Sequence, residues 1–199
     1  MSWEPGAAPP MSDLSWVLLA DVIPLLGIER TCYVWISRAP ETFRQWCERP
    51  AVARWGEPVA IVQLLFFAFK LLQGAVFLGW CVILGGPALP PIQTLPLTAG
   101  LATVLVGQAL STLVFYRLGR VGTFFGDRLG YRVRRCRAFP FSVLSHPQYV
   151  GAILTVWGFF LIMRFPHPDW ALVPAAETLL YVAGALLEEE PARRSAETG

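Results

Sequence analysis

The chain has 199 residues, 55% of them hydrophobic and 15% charged, with a formal net charge of +2 and a mean hydropathy of +0.51. A soluble domain usually carries about 25% charge, so the composition points to a membrane protein, and no nucleic-acid partner is expected. The four cysteines, Cys32, Cys47, Cys81 and Cys136, lack Cys-x-x-Cys spacing, which argues against a zinc site or disulfide framework and for reduced thiols.

The first thirteen residues include Glu4 and Asp13 and no basic cluster, so they do not read as a cleavable signal peptide. Neither prenylation nor retrieval signals occur at the other end. Residues 14–28 are apolar but interrupted by Asp21 and Pro24, which fits an interfacial or re-entrant segment at least as well as a full crossing. Residues 30–57 read as a polar connection with five arginines and three glutamates. This divides the chain into an N-terminal portion, 1–58, and a membrane core, 59–199.

Residues 59–84 give 26 nearly uninterrupted apolar positions, roughly 39 Å as a helix, with Lys70 their one cation. The segment 85–94 is uncharged and rich in turn residues. A second span follows at 96–116, dotted with Gly100, Ala102, Gly107 and Ala109, which allow close helix contact or close approach of a ligand. Residues 117–141 then carry seven arginines against one aspartate. Two apolar stretches, 149–165 and 170–187, joined by Pro166-His167-Pro168-Asp169, predict a membrane-embedded helical hairpin. The expected fold is all-α, a multi-pass membrane helical bundle ending in that hairpin. Arginine-rich loops stay cytoplasmic, so 30–57, 117–147 and the glutamates after the hairpin are expected on one face, with 85–94 opposite.

Ser145-His146-Pro147-Gln148-Tyr149 sits at the mouth of the hairpin. Proline is well tolerated at a first helical position, so Pro147 is expected to open the helix with His146 or Ser145 at its cap. A helix start presents free N–H groups and a partial positive charge that suit a carboxylate or phosphate; it serves equally as a plain interfacial cap. At the other end of the hairpin, Glu188, Glu189 and Glu190 crowd a helix C-terminus where the macrodipole is already negative. They are either solvated, with Arg193 and Arg194 as local partners, or the acceptors for a cation or a ribose hydroxyl. S-adenosylmethionine carries a carboxylate, a sulfonium, an ammonium and ribose hydroxyls, and a helix N-terminus near a carboxylate pair matches such a molecule.

Three blocks in order, "GTFFGDRLG" (122–130), "FPFSVLSHPQYVG" (139–151) and "ALLEEEP" (185–191), resemble the small membrane phosphatidylethanolamine (phospholipid) N-methyltransferases. The resemblance runs over roughly 96–191; the first 95 residues share only the pattern of apolar segments. It implies methyl transfer from S-adenosylmethionine to a membrane phospholipid amine, leading from phosphatidylethanolamine to phosphatidylcholine. It also implies a multi-pass protein of the endoplasmic reticulum membrane or a mitochondrial one. The family's Glu-Glu pair before proline falls on Glu189 and Glu190. Its Gly-x-Gly falls on Leu105-Val106-Gly107, where only the second glycine is kept, making Val106 and Gly107 the expected cofactor contacts, with Tyr149. The family often has Asn before the proline where this chain has His146. The related isoprenylcysteine carboxyl methyltransferases have Arg-His-Pro-x-Tyr, here with Ser145 in place of the arginine, so a carboxyl methyltransferase is the alternative.

The acceptor amine has a pKa of about 10, like lysine, and must lose its proton before it attacks. The expected catalytic residues are His146, whose imidazole type titrates nearest neutrality, and Asp127; each also reads as a capping or turn residue. Arg132, Arg134, Arg135 and Arg137 either hold a lipid phosphate or rest on anionic headgroups. A non-enzymatic membrane scaffold or small transporter, using Lys70 and Glu177 as intramembrane polar contacts, is the competing class. No metal ligand set is expected.

Overall fold

A computed structural model describes residues 13–86, 89–90, 92–133 and 136–197, with side chains described as far as Glu188. All regular structure among the described residues is helical, in seven elements. The first, α1 (Asp13–Arg38), is one continuous helix of 26 residues, roughly 39 Å long. It therefore joins what the sequence divides into a short apolar segment and the start of a polar connection. The reason lies in Glu29 and Arg30, which look like the first loop charges. They are 2% and 6% exposed, buried against partners from other helices. Asp21 and Pro24 face outward and leave the helix unbroken.

Prolines open the next three elements, α2 (Pro40–Cys47), α3 (Pro50–Ala53) and α4 (Pro58–Gly85). Each occupies a position where its missing N–H has no intrahelical partner to lose. The end of α4 is marked by Gly86 at φ 74°, a left-handed conformation that glycine adopts without strain. Then comes α5 (Thr94–Thr123), kinked at Gly119, also left-handed at φ 64°. The hairpin follows as α6 (Pro147–Met163) and α7 (Leu172–Glu197), with His146 at the cap of α6. Among the described helices, α4 and α5 are long and apolar enough to cross a membrane, and α6 is a shorter apolar helix.

Two apolar clusters hold the bundle, and α1 contributes to both. Near its start, Val22 and Leu26 pack with Trp80 of α4, Phe160 of α6 and Val173 of α7. Near its end, Tyr33 and Ile36 pack with Phe43 of α2, Val62 of α4 and Phe124 beyond α5. So α1 lies lengthwise along the bundle. Cys47 is buried in this second cluster, and burial pushes its thiol up to about 11; a thiol-labelling survey of the arginine-rich face has the half-buried Cys136 as its better target.

The packing of α5 on α6 is of another kind. A Cβ built on Gly107 would lie 2.5 Å from the carbonyl oxygen of Gly151, and one on Gly100 would lie 2.8 Å from that of Gly158. The two backbones touch at both crossings, seven residues apart, as small residues permit between membrane helices. At the hairpin's turn, Arg164 donates to Asp169 through Nε at 3.0 Å and Nη2 at 2.7 Å, and both residues are buried. This bidentate pair fixes the connection between α6 and α7.

Gly107→Ala is expected to destabilise the fold by about 1–3 kcal/mol, because the new methyl meets backbone that cannot move aside. Gly74→Ala, with open space around its added carbon, serves as the control. Thermal unfolding in detergent should show a lower Tm for the first variant and an unchanged or raised one for the second.

Candidate functional site

The block from Gly122 to Gly130 forms the turn leaving α5. Phe124 and Leu129 anchor it in the core, 4% and 3% exposed. Between them the chain doubles back, with the Gly126 N–H bonded to the Val121 carbonyl at 2.9 Å and the Tyr131 N–H to the Gly126 carbonyl at 2.8 Å. A side chain on Gly126 would collide with Val121 backbone and side chain, so only glycine fits. The turn delivers Asp127 and Arg128 to the wall of a cavity of about 390 Å³. Asp127 remains 62% exposed there, with Arg128 Nε at 3.9 Å.

The mouth of α6 supplies the opposite wall. The His146 ring stacks on Tyr149, with centroids 5.5 Å apart and planes 16° from parallel. Tyr149 in turn places its hydroxyl 2.7 Å from both carboxylate oxygens of Glu188. His146, Tyr149, Glu188 and Asp127 all line the one cavity. Residues as far apart in sequence as Asp127 and Glu188 thus meet because the start of α6, the C-terminal half of α7 and the turn after α5 lie at the same end of the bundle.

Beneath this polar mouth lie further polar groups, of which the sequence marked Lys70 and Glu177 as intramembrane contacts but not Glu29, Arg30 or Tyr181. Glu29 and Arg30 of α1, Lys70 of α4 and Tyr181 of α7 also line the cavity. Lys70 Nζ donates to Glu29 Oε2 at 3.2 Å, Gln73 Oε1 at 2.7 Å and the Tyr181 hydroxyl at 3.1 Å. Gln73 Nε2 donates to Glu29 Oε2 and to Glu177 Oε1, each at 2.6 Å. Arg30 Nη2 is 2.7 Å from Glu29 Oε1, and its guanidinium carbon lies 5.0, 5.0 and 4.2 Å from the ring centres of Tyr33, Tyr149 and Tyr181. The remaining wall is apolar, including Val62 and Phe66 of α4 and Val114 and Phe115 of α5. Such a space offers carboxylates and aromatic faces to a cation, a guanidinium to an anion, and a hydrocarbon wall to a chain.

Other expected site residues lie elsewhere. Val106 is 54% exposed on the outside of α5 and does not line the cavity. Gly107 is occupied by the α5–α6 crossing, its face closed by Gly151 and Thr155. Leu105 is 68% exposed, so none of that triplet adjoins the cavity. The side chains of Glu189 and Glu190 lie outside the described residues, as do Arg134 and Arg135; of the three consecutive glutamates, Glu188 is the one seen at the cavity. Arg132 and Arg137 are exposed and away from it. Among the described residues no cluster of His, Cys, Asp or Glu is suited to a metal ion.

An all-helical bundle with a polar cavity where the hairpin's two ends meet the turn after α5 is the setting in which the comparisons fall. Residues 95–195 match the phospholipid methyltransferase family, and the chain belongs to it. Over 93 residues it is 40% identical to the phosphatidylethanolamine N-methyltransferase of Rattus norvegicus, covering 46% of this chain and 45% of that one. The phosphatidyl-N-methylethanolamine N-methyltransferase of Saccharomyces cerevisiae is 36% identical over 93 residues, 46% of this chain and 44% of its own. Its namesake in Arabidopsis thaliana is 39% identical over 67 residues, 34% and 37% of the respective chains. The match thus spans about half the length of these curated relatives, or less. No solved structure matches the chain. The family stretch supplies α5, the turn, α6 and α7; Glu29, Arg30, Tyr33 and Lys70 come from outside it.

Lys70→Met is expected to lower stability by about 1–3 kcal/mol, because Glu29 and Gln73 lose a buried donor. Denaturation of the purified protein in detergent reads this directly. An unchanged midpoint would mean that Lys70 reaches the headgroup region instead of closing the network.

Proposed function

We propose that this protein transfers methyl groups from S-adenosylmethionine to the amine of phosphatidylethanolamine and its mono- and dimethyl derivatives, ending in phosphatidylcholine. The observation that carries the reading is the convergence of His146, Asp127, Tyr149 and Glu188 on one cavity. They come from the three sequence blocks that resemble the family. The names of the relatives support the same substrate class. The reading carries with it an endoplasmic reticulum or mitochondrial membrane, with the cavity on the cytoplasmic side.

The residues present fit the cofactor. Glu188, held by Tyr149, is an acceptor for a ribose hydroxyl or an ammonium, and Glu189 and Glu190 follow it. The carboxylates of Asp127 and Glu188 at the cavity suit the positive charge of a sulfonium. When bound, S-adenosylmethionine supplies a methyl carbon made electrophilic by a positively charged sulfur. The rest falls to the chain. The apolar wall of Val62, Phe66 and Phe115 excludes water and lowers the local dielectric, which disfavours a charged ammonium and favours the neutral amine. His146, at the cavity's edge, takes the proton from the acceptor nitrogen, and Asp127 orients the acceptor ammonium as it enters. Fixing the two reactants in line supplies much of the rate.

Incubating membranes holding the protein with methyl-labelled S-adenosylmethionine, then separating lipids, should place label in base-stable N-methyl phospholipids. Label in base-labile methyl esters would favour the carboxyl methyltransferase and sink this reading. His146→Ala should lower turnover about a hundredfold or more. The deficit should be largest at and below neutral pH, where the fewest acceptor amines are neutral. A uniform loss across pH, with weaker cofactor binding, would reassign His146 to the cofactor.

Replacing Glu188, Glu189 or Glu190 singly by Gln should weaken S-adenosylhomocysteine binding about ten- to a hundredfold where a charge-assisted hydrogen bond is lost. Calorimetry on the three variants ranks the carboxylates. Unchanged affinity in all three would leave them as structural and solvated groups.

A further inference from the structure

Among the described residues, Arg30 is the buried cation whose hydrogen bonding the bundle leaves incomplete. Its side chain is 7% exposed, and Nη2 lies 2.7 Å from Glu29 Oε1. Nη1 is shut off from solvent and has no hydrogen-bond partner. The guanidinium is not loose. Three tyrosine rings surround it at 4.2–5.0 Å, and its stem packs beside Gly184 of α7, where an added carbon would lie 3.2 Å from Cδ. A buried charged donor left without an acceptor is costly, and native structures keep few such groups without a reason. The residue also lines the cavity, between Tyr149 and Tyr181, a short way from Glu188.

We propose that Arg30 is an oxyanion anchor, its Nη1 taking up a carboxylate or phosphate oxygen of a molecule bound in the cavity. The inference rests on the methyl-transfer reading for what that molecule is. Both reactants carry such a group: the amino-acid carboxylate of the methyl donor, or the phosphodiester of the lipid. The chemistry is shared, because a planar guanidinium fixed at one edge by Glu29 presents its other edge to either anion. Nη1 has no acceptor from the protein, so an oxygen that reaches it displaces no existing hydrogen bond. The role differs from that expected of the exposed arginines at 132 and 137, which face solvent and can only gather anions loosely. Arg30 also lies outside the stretch matched to the family, so α1 completes a site that the family blocks alone leave without its buried cation.

The test compares wild type with Arg30→Gln and Arg30→Lys in two arms. In the cofactor arm, calorimetry measures S-adenosylhomocysteine and 5′-methylthioadenosine, which lacks the amino-acid carboxylate. If Arg30 holds that carboxylate, Arg30→Gln weakens the first about ten- to a hundredfold and leaves the second unchanged. In the lipid arm, methylation of dihexanoyl phosphatidylethanolamine is followed in detergent. If Arg30 holds the phosphodiester, KM for the lipid rises by the same factor while S-adenosylhomocysteine binding stays at the wild-type value. Should Arg30→Gln fail to fold, Arg30→Lys keeps a charge beside Glu29 but loses the second edge, and the same two arms decide with it. Wild-type values for all three ligands in a folded variant overturn the proposal while leaving the methyl-transfer reading intact. A wild-type protein that neither binds S-adenosylhomocysteine nor methylates lipid overturns both.

Discussion

Glu29 is a carboxylate within a bundle of apolar helices, and the site takes its shape from the way that charge is neutralised. An isolated ion in such surroundings is costly enough that it must be paired and hydrogen-bonded. Glu29 is 2% exposed and meets that demand with Arg30 from its own helix and Lys70 and Gln73 from α4. Gln73 passes the constraint on to Glu177 of α7. One buried charge thereby ties α1, α4 and α7 together at fixed positions. Apolar packing alone, which tolerates sliding and rotation between helices, would not specify those positions so narrowly.

The other half of the bundle is held in a different way. Where α5 meets α6, backbones touch through Gly107 and Gly151 and through Gly100 and Gly158, so dispersion contacts and close approach do the work. Cross-linking by Gln108 and Thr155 at 3.0 Å adds one polar contact at that seam. The cavity forms where these two halves face one another. Its apolar wall comes from α4 and α5 and its ionic floor from α1, α4 and α7. The lipid headgroup with hydrocarbon attached that we propose as substrate needs both surfaces side by side, and two modes of helix packing in one small bundle produce them.

Much of this was legible in the sequence because hydrophobic length and proline position are local signals. The spans at α4 and α5, the hairpin, and the start of α6 at Pro147 follow from runs of apolar residues and from where proline is tolerated. The continuity of α1 was not legible, since Glu29 and Arg30 look like loop charges until their partners are known. Yet a signal was there in the spacing. Glu177, Tyr181 and Glu188 fall at i, i+4 and i+11 on α7, and Glu29, Tyr33 and Ser37 at i, i+4 and i+8 on α1, so each helix carries a polar stripe along one face. In an apolar helix such a stripe must face another polar stripe or a cavity, and here α1 and α7 face each other. The fate of Gly107 was ambiguous for a related reason. A small residue admits a ligand and a neighbouring helix equally well, and only the register of α6 decides that the neighbour is Gly151.

The polar groups form one connected path rather than a set of separate contacts. It runs from Glu177 through Gln73 and Lys70 to the Tyr181 hydroxyl, then through the Tyr181 ring to Arg30, on to the Tyr149 ring and out to Glu188. The outer members face the cavity, and the inner ones set their orientation. Tyr181 cannot rotate freely while Lys70 binds its hydroxyl, and Tyr149 is held at both ends, by Glu188 at the hydroxyl and by the Tyr181 ring 5.3 Å away at the side. Far along the hairpin, Arg164 and Asp169 close the turn, so α6 and α7 are pinned at both ends. Reactants that must align to within a fraction of an ångström need rigid walls. In a bundle with little polar material, rigid walls come from placing Glu29, Arg30 and Lys70 together on one side of one cavity.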